Sequence, residues 1–401
     1  MKFKMTGGLA LAFLFAFTLA VTALSGQQEK SPAAPAKHAA SHTGKNSAGP
    51  LKLVGAIALP GNPLRFDISW VDNARGRYYL GEAGNAAVEV VDAENDLFLG
   101  RITGFHGLGT PEDCGPIEGM GPSGVLVTPD NHLWADDAHG TVKVFDLNSA
   151  KPPFTDVAPV ATISTGAQCR ADEIGFDPQD HVIMVGNPAE HPPYASVISS
   201  DPPYDVLAKI PFPDARGFEQ PMWDPGLKGG RMLATVPGMN GAGEVVVFNL
   251  KNPKTPVIET TYQTPGCGSG LVLGPAQHLM VGCGGGRPVI ILNPLTGKVF
   301  ATADGSHGAD EVWYNPGDNH FYAPAGNGAN PVLSVIDADT GKLIDNLPAG
   351  PGTHSVAAYR GNNHVFVPIA IPTAASPTDA CNVMFGLAPK QGCIFVYAHE
   401  K

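Results

Sequence analysis

One pattern governs what this chain can become: after Leu51 it repeats. The clearest pair of repeats is nearly superimposable, His307-Gly-Ala-Asp-Glu-Val-Trp-Tyr-Asn-Pro-Gly-Asp-Asn-His-Phe-Tyr-Ala-Pro matching Gly352-Thr-His-Ser-Val-Ala-Ala-Tyr-Arg-Gly-Asn-Asn-His-Val-Phe-Val-Pro, with His320 and His364 in register. Aligning the first strand of each unit on the residue two before the turn gives anchors at Trp70, Val127, Phe176, Trp223, Leu273, Tyr314 and Ala358, spaced 41 to 57 residues apart. That spacing suits one four-stranded blade per unit and is too long for a leucine-rich or hexapeptide solenoid. Seven such units predict a ring.

The first unit shows the plan: Ile68 to Trp70, Arg77 to Leu80, Ala87 to Val91 and Leu97 to Ile102 read as four strands separated by polar turns. The last unit stops after Cys393-Ile-Phe-Val-Tyr-Ala398, one strand short. Leu51-Lys-Leu-Val-Gly-Ala-Ile-Ala-Leu59 precedes the first unit with no partner of its own, so it is expected to complete the last blade and leave no open edge. The predicted fold is all-β: a seven-bladed β-propeller of four-stranded antiparallel blades over 51–401, closed by its amino-terminal strand.

Composition agrees, since 49 glycines and 38 prolines leave little room for long helices, while a 43% hydrophobic share excludes a disordered chain. The 37 acidic side chains against 25 Lys and Arg, with no basic cluster, argue against nucleic acid and against acidic membranes. Residues 1–26 carry Lys2 and Lys4, an apolar run from Leu9 to Val21 and then small residues, the layout of a secretory signal. Export to the periplasm or the extracellular space is expected, with no membrane span after signal removal because the run falls short of the ~20 residues needed. A flexible Ser/Ala/Pro/Lys leader is expected over 27–50.

Two phrases carry a resemblance: Tyr78-Tyr-Leu-Gly-Glu-Ala-Gly-Asn-Ala-Ala-Val-Glu-Val-Val-Asp92, and Phe321-Tyr-Ala-Pro-Ala-Gly-Asn-Gly-Ala-Asn-Pro-Val-Leu-Ser-Val-Ile-Asp-Ala-Asp-Thr-Gly341. They resemble the YVTN-type repeats of YncE-like propeller proteins, over most of 51–401. The resemblance implies an exported seven-bladed ring and names no substrate.

Six cysteines in an exported chain should pair, and the blade layout selects one connectivity. Cys267 and Cys283 flank a hairpin, Cys114 and Cys169 both precede the inner strands of adjacent units, and Cys381 and Cys393 bracket the loop before the final strand. All three bridges would stiffen one rim.

The same rim is where loops from every blade converge on a central mouth. The positions opening the inner strands include Asp67, Asp172-Glu173, Glu219, Asp310-Glu311 and His354, while Glu82 and Asn187 follow second strands and Arg170 and His307 precede first ones. Converging carboxylates raise one another's pKa unless a cation intervenes. A divalent cation is therefore a candidate, Ca²⁺, Mg²⁺ or Mn²⁺ on oxygen ligands and Zn²⁺ if histidine joins, with Glu173, Glu219, Glu311 and His354 as metal ligands. The alternative is a solvated charged rim.

Asp67, Glu82, Arg170, Asn187 and His307 are the expected ligand-binding set, for a small molecule or a protein partner. A second reading is a metal-dependent hydrolase similar to gluconolactonase-type propellers, with Asp172 or Asp310 as general base. That family's Glu-Gly-Pro opening is absent, the corresponding stretch being Arg65-Phe-Asp-Ile-Ser-Trp70. No haem motif, nucleotide loop or nucleophile elbow occurs. His132, His181, His278, His320 and His364 fall at turns and are expected to bond there; Trp70, Trp134, Trp223 and Trp313 are expected between blades.

Overall fold

The computed structural model describes residues 49–326, 330–374 and 376–400; the expected signal and nearly all of the leader lie outside them. Seven four-stranded antiparallel sheets follow one another along the chain. Their innermost strands are Phe66–Asp72, Val125–Val127, Asp172–Asp177, Glu219–Asp224, Cys267–Leu273, Trp313–Asn315 and Ala357–Tyr359, one for each of blades 1 to 7. Blade 7 takes its outer strand from the other end of the chain, where Leu51–Ala58 pairs antiparallel with Cys393–His399, Leu51 opposite His399 and Ala58 opposite Cys393. Lys52 and Glu400 add an ion pair across this closure.

A blade strand is apolar on both faces because each sheet packs against two neighbours. The valines of Ala87–Asp92 illustrate it: Val88 and Val90 belong to the cluster shared with blade 2, whereas Val91 joins Tyr78, Leu80, Phe366 and Ile394 in the cluster shared with blade 7. Seven apolar clusters result, each drawing on two adjacent blades, so blade 1 meets blade 7 as every other pair meets. Each fully buried Leu, Val or Phe contributes about 1.5–3 kcal/mol. An open array would leave two such faces wet; a closed ring leaves none.

All three expected disulfides are present: Cys114–Cys169, Cys267–Cys283 and Cys381–Cys393. They lie at one end of the ring. Cys169 precedes the inner strand of blade 3, Cys283 closes the second strand of blade 5, and Cys393 stands opposite Ile369, the last residue of a second strand in blade 7.

Candidate functional site

That end is the mouth, and its backbone is irregular for a reason. The pairing of inner to second strand shifts register between Phe66 and Ser69, Asp172 and Ile174, Glu219 and Met222, and Cys267 and Leu271. A bulge at the same end of four blades re-aims the side chains that open the inner strands. Glu173 occupies one with φ 63°, the left-handed region that a glutamate rarely adopts. The strand openings then hold one another across blades, with Ile68 N donating to Ser123 O at 3.1 Å and Glu311 N to His354 O at 3.0 Å.

Arg170 organises the charges inside. Its Nη1 lies 2.6 Å from Asp67 Oδ2, its Nη2 2.8 Å from Asp172 Oδ2, and its Nε 3.4 Å from Glu118. Burial opposes ionisation of Asp67, yet Arg170 and His354 overcome it and hold its carboxyl well below the usual range. One guanidinium cannot neutralise the rest: burial and mutual repulsion push Asp136, Glu173 and Glu219 upward. Asp172 Oδ1 and Glu173 Oε2 are buried without a hydrogen-bond partner among the described residues.

Asp67, Asp310 and His354 converge, each offering one ligand atom within 4.8 Å of the others. His354 is fixed by its ring. Nδ1 lies 2.7 Å from Gly352 O, so it carries the proton, and the imidazole stacks on Phe66 at 4.9 Å and 12°. In the neutral ring Nε2 is the lone-pair nitrogen; it lies 3.6 Å from Asp67 Oδ1, beyond hydrogen-bond range, and is buried with no partner among the described residues. Burial alone would lower the His354 pKa, but the Asp67 and Asp310 carboxylates raise it. Asp310 is open to solvent. Beside it a cavity of about 490 Å³ is lined by Arg65, the Gly284 to Gly286 loop, His307, Asp310 and His354.

The remaining candidates are distributed differently from the sequence expectation. Glu311 is fully buried and accepts from Ser69 N, Ser69 Oγ, Ser355 Oγ and Val356 N, joining the inner strands of blades 1, 6 and 7. Glu82 accepts from the backbone N–H groups of Arg65, Gly84 and Asn85. Asn187 is bonded to Thr165 and Ser196. All three are committed to holding loops and strands. Glu173 and Glu219 share their nearest charges with each other and with Asp172, and do not join His354 in a three-ligand cluster. His307 lines the cavity, its Nδ1 3.5 Å from Gly286 O. Arg65 escaped the sequence reading; its buried Nε lacks a partner among the described residues.

Turn histidines behave as expected where His132 meets Asp130, His364 meets Asp96 and His278 meets Ala338 O. Among the tryptophans only Trp134 is fully enclosed between blades. Trp70, Trp223 and Trp313 are half-buried: each packs against an inter-blade cluster as expected and also lines a cavity, because a side chain near the foot of an inner strand faces the axis as well as a neighbouring sheet.

No protein-family model matches the chain and no curated protein matches it. Solved structures match in fold: a chain in the crystal structure of a mitotic checkpoint complex superposes with a TM-score of 0.60 at 12% identity, over 95% of this chain and 98% of that one. With 1159 solved chains matching, the architecture is too widely shared to indicate an activity. Among the described residues no helix is long and apolar enough to cross a membrane.

Proposed function

We propose that the protein is an exported binding propeller whose acidic mouth holds a divalent cation between Asp67, Asp310 and His354, with room beside it for a small oxygen-bearing ligand. The observation that carries this reading is His354: Gly352 O holds a proton on Nδ1, and Nε2, with no hydrogen-bond partner among the described residues, faces two carboxylates that favour positive charge there, which a cation supplies in place of a second proton. A ligating histidine is oriented in this way, by a backbone carbonyl on its other nitrogen. Two carboxylates and one imidazole favour Mn²⁺ or Zn²⁺ over Ca²⁺. Asp310, open to the adjoining cavity, leaves a side from which a ligand oxygen could approach the ion. Three disulfides suit an oxidising compartment.

Chelator-treated protein dialysed against Zn²⁺ or Mn²⁺ should take up one ion per chain. Asp310→Asn combined with His354→Ala should abolish that uptake while the thermal transition persists. Undiminished uptake in the double variant sinks the reading.

A further inference from the structure

At the end of the ring away from the mouth, the inner strands surround a second cavity of about 460 Å³. Its wall is apolar, with Trp70, Phe176, Met222, Trp223, Trp313 and Tyr314 contributed by blades 1, 3, 4 and 6. Trp70 and Trp313 meet edge to face, centroids 5.6 Å apart at 83°. The indole nitrogens of Trp223 and Trp313 are buried without an acceptor among the described residues.

Two carboxyl groups, Glu173 and Glu311, line the chamber as well. They are not equivalent. Glu311 has its oxygens occupied by Ser69, Ser355 and Val356. Glu173 is only 4% exposed, and its Oε2 has no partner among the described residues. It is also the residue held at φ 63° in the bulge. A strained backbone carrying an unpaired buried oxygen persists only where the surrounding fold enforces it, and it marks a group waiting for a donor.

Chamber chemistry narrows what that donor is. The volume matches small-molecule sites, and the aromatic rings offer faces that attract cations. Asp67, Asp172, Glu219 and Asp310 act on Glu173 from the mouth side and outnumber the guanidinium groups of Arg170 and Arg65 among them, so an anion is repelled. A neutral apolar molecule would bury Glu173 further and leave its oxygen unpaired. We propose that the chamber is a second binding site, for a small organic amine whose ammonium meets Glu173 and whose apolar body lies among Trp70, Trp223 and Trp313. It uses residues distinct from the mouth triad, so either site can stand without the other.

The isosteric probes 2-phenylethylamine and 2-phenylethanol test it, by titration calorimetry and by tryptophan fluorescence on the full chain. The amine should bind saturably, change the emission, and be preferred over the alcohol about tenfold, a difference near 1.4 kcal/mol. Glu173→Gln should erase that preference, and His354→Ala should leave it intact. Should Glu173→Gln not fold, Trp223→Leu takes its place and should weaken the amine at least as much as the alcohol. Equal affinity for both probes, a preference surviving in Glu173→Gln, amine binding undiminished in Trp223→Leu, or no binding of either probe overturns the proposal.

Discussion

Arg170 Nη1 stands 2.6 Å from Asp67 Oδ2, joining blade 3 to blade 1 across the channel. The same guanidinium holds Asp172 at 2.8 Å, so one side chain fastens the opening of two inner strands. Replacing it with Met leaves the buried Asp172 carboxylate unpaired and Asp67 with His354 alone at ion-pair distance. Arg170→Met is expected to cost about 3–5 kcal/mol, read as a drop in the urea midpoint, with part recovered by adding Asp172→Asn. A cost below about 1 kcal/mol would show that the pair is not buried as described.

Acid should stabilise this protein relative to mild alkali. Burial pushes Glu82 up to about 8 and Glu89 up to about 7, the latter despite Arg101 at 3.1 Å. A carboxyl raised above its unfolded value of 4.5 holds its proton more tightly in the folded state. Its contribution is whole below that value and is lost as pH climbs through 7 and 8. Glu259, lowered to about 2 by Arg231 and Lys228, acts in the opposite sense but only below 4.5. The denaturant midpoint should therefore fall between pH 5 and pH 8.5, and Glu82→Gln should flatten that fall. An unchanged slope in the variant counts against a buried Glu82.

Ring closure can be tested in trans. A chain lacking residues 49–59 exposes the edge of Cys393–His399 and the pocket of Leu59, which is fully buried. It should melt earlier and less cooperatively, and a synthetic peptide of the missing segment should restore the transition by adding as a strand. Deletion without effect on melting would contradict the shared blade.

The disulfides should rank by the chain they enclose. Cys114–Cys169 spans a separation of 55 residues and Cys267–Cys283 one of 16. Loop-closure entropy makes the first worth about 1 kcal/mol more, so the Cys114→Ser/Cys169→Ser variant should unfold at lower denaturant than its Cys267→Ser/Cys283→Ser counterpart.

The ring was legible in the sequence because its determinants are local: every anchor from Trp70 to Ala358 lies within an inner strand, and the orphan segment after Pro50 closes blade 7. The cysteine pairs followed from the same layout. Side-chain direction at the mouth did not follow, since alternation fails wherever a bulge intervenes and does not apply to residues that, like Asp310 and Glu311, precede the strand. Asp310 and Glu311 are neighbours, yet one is open to solvent and the other ties three inner strands together. No periodicity separates them. The aromatic chamber stayed hidden for a related reason: Trp134 and Trp313 both pack between blades, and only the position of the axis decides that Trp313 lines a cavity as well.

The most direct test of the mouth is diffraction from Zn²⁺-loaded crystals at the zinc edge. The account predicts one anomalous peak about 2.0–2.2 Å from His354 Nε2 and from a carboxylate oxygen each of Asp67 and Asp310. A peak on other residues, or none at the mouth, would contradict it.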